Sequence, residues 1–111
     1  MYIFYNVTMS SILKEVLEEE LQRNLQKQRV FKNEFDKYPR GSLVISKIHG
    51  DKYVYRKYRE GDKIVSEYIG PFDSDAVKQA FDDRNKHLKY KQSLKNLKNE
   101  EIKLKKTIKI L

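Results

Sequence analysis

The sequence predicts an α+β fold in which two long antiparallel helices, paired like a coiled-coil hairpin, flank a three-stranded antiparallel β-meander. Residues 40–70 alternate apolar and polar side chains and contain two glycine turns, which is typical of short strands joined by hairpin loops. The segments on either side are highly charged and repeat apolar residues at helical spacing. Only 39% of the 111 residues are hydrophobic and 36% are charged, which favours a single domain built on a narrow helical seam.

The first helix is expected over residues 9–38, with residues 1–8 forming a tail or a short strand. Thr8 is a candidate N-cap, because its hydroxyl can accept a hydrogen bond from the first helical turn. Pro39 ends the helix, since proline has no backbone N–H to donate. Three residues are expected to open the apolar face of this helix: Ile12, Leu13 and Val16.

Each helix continues as a heptad, with spacings that alternate between three and four. In the first helix this seam contains Leu17, Leu21, Asn24, Gln28, Phe31, Phe35 and Tyr38. The polar pair Asn24 and Gln28 is expected to weaken packing and fix the register. The second helix is expected over residues 73–108 with Asp73 as its N-cap. Its seam contains His87, Tyr90, Leu94, Leu97, Glu101, Leu104, Ile108 and Leu111.

The sheet is expected to span residues 42–69, as strands at 42–48, 53–59 and 63–69. In the central strand, side chains alternate between two faces. One face carries Tyr53, Tyr55, Lys57 and Arg59, and the other carries Val54, Arg56 and Tyr58. Because three strands alone are marginally stable, one of these faces must pack on a helix. The pattern leaves open which face does so, since both combine aromatic or apolar residues with cations.

The net charge of +8 is unevenly distributed along the chain. Residues 1–38 are neutral overall, residues 39–72 carry +3, and residues 73–111 carry +5. An excess of this kind favours polyanionic partners, with nucleic acid first and acidic protein surfaces second. The alternative is that lysine serves here mainly as a solvating residue.

Several classes of function have little support in the sequence. There is no cysteine, no apolar run long enough to span a membrane, and no secretory signal pattern at the start, so we expect a soluble, cytoplasmic protein with no membrane partner. His49 and His87 have no second metal ligand at a suitable spacing, and Asp82 and Asp83 point to different helix faces. We therefore expect that the protein is not an enzyme and that it needs no cofactor or metal.

The residues of the sheet resemble a group of short bacterial and phage proteins of unknown function. The shared pattern is a GSL start, an isoleucine before a glycine turn, Tyr-x-Tyr, Arg-Glu-Gly and Tyr-Ile-Gly, between two charged helices. The matching residues are Gly41, Ser42, Leu43, Ile48, Gly50, Tyr53, Tyr55, Arg59, Glu60, Gly61, Tyr68, Ile69 and Gly70. This resemblance implies the helix–sheet–helix fold and brings no activity.

A weaker resemblance involves the start of the second helix. The segment PFDSDAVKQAF is similar to the helix entry of the arm-type DNA-binding domain of phage tyrosine integrases. Those domains place a three-stranded sheet on the DNA groove. The resemblance therefore implies a binding role for the sheet and no catalytic role.

The candidate nucleic-acid site lies on the central strand and the following hairpin. Arg56, Lys57, Arg59 and Lys63 are candidates for phosphate contacts, and Tyr53 and Tyr55 are candidates for stacking on bases. The leading hypothesis is a non-enzymatic basic accessory protein of a mobile element or its host that binds nucleic acid through its sheet. The alternatives are a protein-binding inhibitor or antitoxin-like module acting on a nuclease or defence enzyme, and a homodimer formed through the helix seams.

Overall fold

The computed structural model describes residues 2–111, with side chains from Met9 onward. Helix α1 spans Tyr2–Lys37 and helix α2 spans Asp75–Ile110; between them lie strands β1 (Ser42–Ile48), β2 (Asp51–Glu60) and β3 (Lys63–Pro71). The three strands form one antiparallel sheet in the order β1-β2-β3. The predicted α+β arrangement, with two helices flanking a three-stranded antiparallel sheet, is confirmed.

The chain divides into two compact units, which are described separately. The helical unit contains the residues up to Glu34 together with Tyr90–Leu111, and the sheet unit contains Phe35–Lys89. Among the described residues, neither helix has a stretch long and apolar enough to cross a membrane.

Helix α1 is longer than the sequence pattern indicated. It begins at Tyr2, so residues 2–8 are helical and the expected tail or strand is wrong for them; residue 1 lies outside the described part. Thr8 is inside the helix and cannot be its N-cap. The physical reason is that no glycine or proline precedes Gly41 except Pro39, so nothing interrupts the helix earlier.

Helix α2 begins later than expected, and its cap is Ser74 rather than Asp73. The Ser74 Oγ accepts a hydrogen bond from the backbone N–H of Val77 at 3.4 Å and donates one to the carbonyl of Pro71 at 2.7 Å. The Ser74 N–H also donates to the Pro71 carbonyl at 2.9 Å. Strand β3 runs to Pro71, two residues beyond the expected end, and this moves the start of the helix to Asp75.

In the helical unit the two helices are antiparallel and meet along the predicted seam. The ring centroids of Phe31 and Tyr90 lie 5.8 Å apart, and Asn24 contacts Leu97, so residue numbers rise along α1 as they fall along α2. The seam residues of this unit are buried or half-buried, except Leu111. The prediction that Ile12, Leu13 and Val16 contribute to the packed apolar face of α1 is wrong, because all three are exposed. Val16, for example, lies about 100° around the helix from the seam residue Leu17.

The polar residues of the seam form a hydrogen-bonded network. The buried Asn24 donates from Nδ2 to the Leu97 carbonyl at 2.9 Å, and its Oδ1 accepts from Gln28 Nε2 at 2.7 Å. Gln28 Nε2 also donates to Glu101 Oε1 at 3.0 Å, and Lys105 donates to Glu101 Oε2 at 3.3 Å. Both the donor and the acceptor of the buried Asn24 amide therefore have partners, as burial requires.

This hydrogen-bonded network shifts the pKa of one of its members. The hydrogen bond from Gln28, helped by Lys105, holds the pKa of the Glu101 carboxyl below its usual value, although partial burial acts in the opposite direction. Because folding lowers this pKa, the carboxylate contributes stability above its unfolded pKa. That contribution is lost as the pH falls through the lowered folded pKa.

Candidate nucleic-acid interface

One face of the sheet packs on α2. Val54, at the centre of β2, is 0% exposed, and its neighbours across the sheet are Ile45 on β1 and Gly70 on β3. A Cβ atom added at Gly70 would lie 3.8 Å from Val77 Cγ2, which places the first turn of α2 against this face. Val77 itself is buried, as is Ala80 one turn later. The Val54 face is thus the inner face of the sheet unit.

The opposite face, here called the open face, presents side chains that alternate with Val54 along β2. It includes Tyr53, Tyr55, Lys57 and Arg59 of β2 and Ile64, Ser66 and Tyr68 of β3. Tyr68 pairs with Tyr55 across the sheet, and their ring centroids are 5.4 Å apart at 57°. The rings of Tyr53 and Tyr68 are 6.3 Å apart at 47°. The three tyrosines therefore form one continuous aromatic surface, here called the tyrosine cluster.

The open face is positively charged and is exposed except at Tyr53 and Tyr55, which are half-buried. Tyr68 is 53% exposed and Ile64 is 70% exposed, while Lys57 and Arg59 are also exposed. From Tyr53 to Arg59, this face of β2 and its partners on both neighbouring strands carry two cations and no carboxylate. The sequence alone did not decide whether the tyrosine face docks on a helix. In the structure α2 instead packs on the Val54 face, and the tyrosine cluster lies on the other side.

The structure does not bring all six predicted site residues together. Four of them, Tyr53, Tyr55, Lys57 and Arg59, share the open face. Arg56 lies on the Val54 face and forms an ion pair with Glu67 of β3, with Nη1 and Oε2 3.3 Å apart. Lys63, which pairs with Glu60 at the start of β3, also lies on that side. Arg56 and Lys63 therefore each have a carboxylate opposite them on the neighbouring strand.

A shallow groove lies beside the end of β2 and is lined by side chains from both faces of that strand. It is lined by Arg40, Arg56, Tyr58, Arg59, Glu60 and Glu67. Two carboxylates offset two of its three guanidinium groups, so the groove carries one net positive charge. Arg59 belongs to the open face by the alternation of β2, but it also lines this groove together with Glu60 and Glu67. Lys57 is the open-face cation that does not line the groove with these carboxylates, so it is the better candidate for a phosphate contact.

Sequence reasoning missed Tyr68, although a usable signal was present. A two-residue loop, Gly61-Asp62, joins Glu60 to Lys63, and such a loop fixes the register of a hairpin. Counting back from the Glu60–Lys63 pair brings Tyr55 opposite Tyr68. A register shift follows between Val54 and Tyr55, so that Gly70 rather than a larger residue faces Val54. That irregularity has no clear signature in the sequence.

Other chemistry is sparse around the sheet. Within the residues that the structure describes, no three His, Cys, Asp or Glu side chains are placed to hold a metal ion. On α2, Lys86 pairs with Asp82 at 3.4 Å, and the hydrogen bond to that carboxylate raises the pKa of the lysine. Such a pair one helical turn apart on an exposed surface contributes little to stability.

Comparison with known proteins places the chain in a family without assigning a role. Searches of curated proteins and of solved structures found no match. The model of one family, described as a domain of unknown function (DUF6788), matches residues 12–79. The matched segment contains the whole sheet, including the open face, and the first turn of α2, and it spans more than half of the chain. The protein therefore belongs to the DUF6788 family.

Proposed function

We propose that this protein binds nucleic acid through the open face of its sheet. The observation that carries the proposal is the tyrosine cluster on the side away from α2, bordered by Lys57 and Arg59. Aromatic rings on a flat sheet stack on bases, and neighbouring cations neutralise phosphates. The net charge of +8 favours the same class of partner.

Single-stranded segments fit this face better than a duplex. Stacking on the rings of Tyr53, Tyr55 and Tyr68 requires unpaired bases, since the bases of a duplex are already stacked on one another. Two cations are few for a duplex-binding surface that depends mainly on phosphate contacts. The weaker resemblance to integrase arm domains supports a binding role for the sheet, whereas the tyrosine cluster favours single strands over a duplex.

Five residues form the proposed binding surface. Tyr53, Tyr55, Lys57 and Arg59 come from the sequence pattern, and Tyr68 is added by the fold. Arg56 and Lys63 do not contribute directly, because they lie on the Val54 face beside carboxylates.

Fluorescence anisotropy with labelled single-stranded DNA, single-stranded RNA and duplex DNA tests this function. With two phosphates neutralised, raising the salt from 50 to 200 mM is expected to weaken single-strand binding about sevenfold. Replacing Tyr55 and Tyr68 together by alanine is expected to weaken it by at least about tenfold, because each stacked base contributes roughly 1–3 kcal/mol. The double variant K57Q/R59Q is expected to lose most of the salt dependence.

Matched controls separate the open face from general charge effects. Lys47 and Lys78 are exposed in the same unit but lie outside the open face, so K47Q/K78Q removes the same charge and is expected to leave the tyrosine-dependent affinity intact. Equal losses for K47Q/K78Q and K57Q/R59Q would reject the open face as the site. Absence of any binding to nucleic acid, together with a protein complex that survives high salt, would favour the inhibitor-like alternative.

A further inference from the structure

A serine hydroxyl lies on each side of Lys57 across the open face. The residue opposite Lys57 on β1 is Ser42, and the residue opposite it on β3 is Ser66. Side chains that pair directly across antiparallel strands point to the same face, so all three lie on the open face. We call these three residues the serine–lysine row, and each of them is exposed.

The polar groups of the serine–lysine row are not occupied by other groups of the protein. Among the residues that the structure describes, its two hydroxyls and its ammonium group form no hydrogen bond or ion pair. By contrast, Ser74 uses its hydroxyl to cap α2, and Arg56 is paired with Glu67. The row therefore offers one positive charge and two hydroxyl donors to a ligand from outside the chain.

The spacing of the row suits a phosphate group. Neighbouring strands lie about 4.8 Å apart, so the Cβ atoms of Ser42 and Ser66 are about 10 Å apart with Lys57 midway between them. When both hydroxyls are turned toward Lys57, two hydrogen bonds of about 2.7 Å and one phosphate group fill the distance between the two oxygens. Serine and lysine side chains are also common ligands of nucleic-acid phosphates. A phosphate above Lys57 can therefore accept hydrogen bonds from all three side chains.

The serine–lysine row lies beside the tyrosine cluster. Lys57 follows Tyr55 by two residues on β2, which places their Cα atoms about 7 Å apart with both side chains on the same face. Ser66 precedes Tyr68 by the same interval on β3. This separation is comparable to that between a base and the phosphate of the same nucleotide. A base stacked on Tyr55 and Tyr68 therefore brings its phosphate to the row.

From this arrangement we infer that the serine–lysine row binds a backbone phosphate of the nucleotide that stacks on Tyr55 and Tyr68. The inference rests on the proposed function and adds Ser42 and Ser66 to its binding surface. One ammonium group with two neutral donors matches the single negative charge of a phosphodiester. The ligand of the row is therefore an internal phosphate of a single strand.

Fluorescence anisotropy with two labelled single-stranded DNA oligonucleotides of one sequence tests the inference. One has the natural phosphodiester backbone, and the other has an uncharged methylphosphonate backbone. The variant S42A/S66A is expected to weaken binding of the natural oligonucleotide about tenfold, because two hydrogen bonds to a charged group are lost. Its effect on the methylphosphonate oligonucleotide is expected to stay within about threefold, since hydrogen bonds to a neutral group are weaker. Y55A/Y68A is expected to weaken binding of both oligonucleotides.

Ser46 provides the matched control on the same face. It lies opposite Tyr53 on β1, two rows away from Lys57, so S46A is expected to change neither affinity more than about twofold. Circular dichroism on each variant confirms that the fold persists. Wild-type affinity of S42A/S66A for the natural oligonucleotide would overturn the inference, as would an equal loss in S46A. The proposed function would then still stand if Y55A/Y68A binds weakly. A wild-type protein that binds neither oligonucleotide would overturn both.

Discussion

Replacing Gly41 by alanine is expected to destabilise the sheet unit by about 3 kcal/mol, through backbone strain and steric overlap together. Gly41 adopts a φ of 109°, a conformation that residues with a Cβ atom rarely adopt. A Cβ added there would overlap the backbone carbonyl oxygen of Lys57 and lie 3.0 Å from Tyr58 Cβ. The obstacle is backbone of the neighbouring strand, so it cannot rotate away. Urea denaturation followed by circular dichroism measures the loss.

Gly61 provides the matched control for this prediction. It also has a positive φ, at 60°, but nothing lies within 4 Å of the position its Cβ would take. Gly61→Ala is therefore expected to destabilise the sheet unit only through the cost of the positive φ, which is about 1 kcal/mol. Equal losses for the two variants would show that the close approach between Gly41 and β2 is absent in solution.

The second large effect is expected at Asn24 in the helical unit. Asn24→Asp nearly preserves shape but replaces a buried amide donor by a carboxylate that, when ionised, can only accept. The Leu97 carbonyl then faces a negative charge, and Glu101 is close by through Gln28. At pH 7 we expect a loss of about 3 kcal/mol, the usual cost of leaving a charge buried without a partner.

The pH dependence of this loss identifies its cause. Burial and the nearby acceptor groups raise the pKa of the introduced carboxyl above its unfolded value. The deficit relative to wild type is therefore full above the raised folded pKa and shrinks as the pH falls through it. Thermal unfolding, followed by circular dichroism at pH 7 and pH 4, measures the stability of Asn24→Asp and of a control variant, Asn99→Asp. Asn99→Asp, at an exposed position of the same unit, is expected to stay within about 0.5 kcal/mol of wild type at both pH values.

Periodic features of this fold were predictable from sequence, because local backbone geometry sets the spacing at which side chains return to the same face of a strand or helix. The alternation along β2 predicts which side chains share a face, and the heptad spacing predicts that Asn24 lies in the seam. The two-residue loop at Gly61 also defines a register that brings Tyr55 to Tyr68.

Features that depend on tertiary context were not predictable. Asp73 and Ser74 are both good N-caps, and the choice between them depends on how far β3 extends, here to Pro71. The packing face of the sheet was not predictable for a similar reason, since the ion pair of Arg56 on the inner side with Glu67 depends on which residues the register places opposite each other.

The central claim is that the open face contacts nucleic acid, and amide chemical shifts of the 15N-labelled protein test it most directly. Titration with a short single-stranded oligonucleotide is expected to shift the signals of Tyr53, Tyr55 and Tyr68 most. The signals of Val77 and Ala80, on the helix that covers the Val54 face, are expected to move little. Shifts concentrated on that helix, or no shifts at a saturating oligonucleotide concentration, would contradict the account.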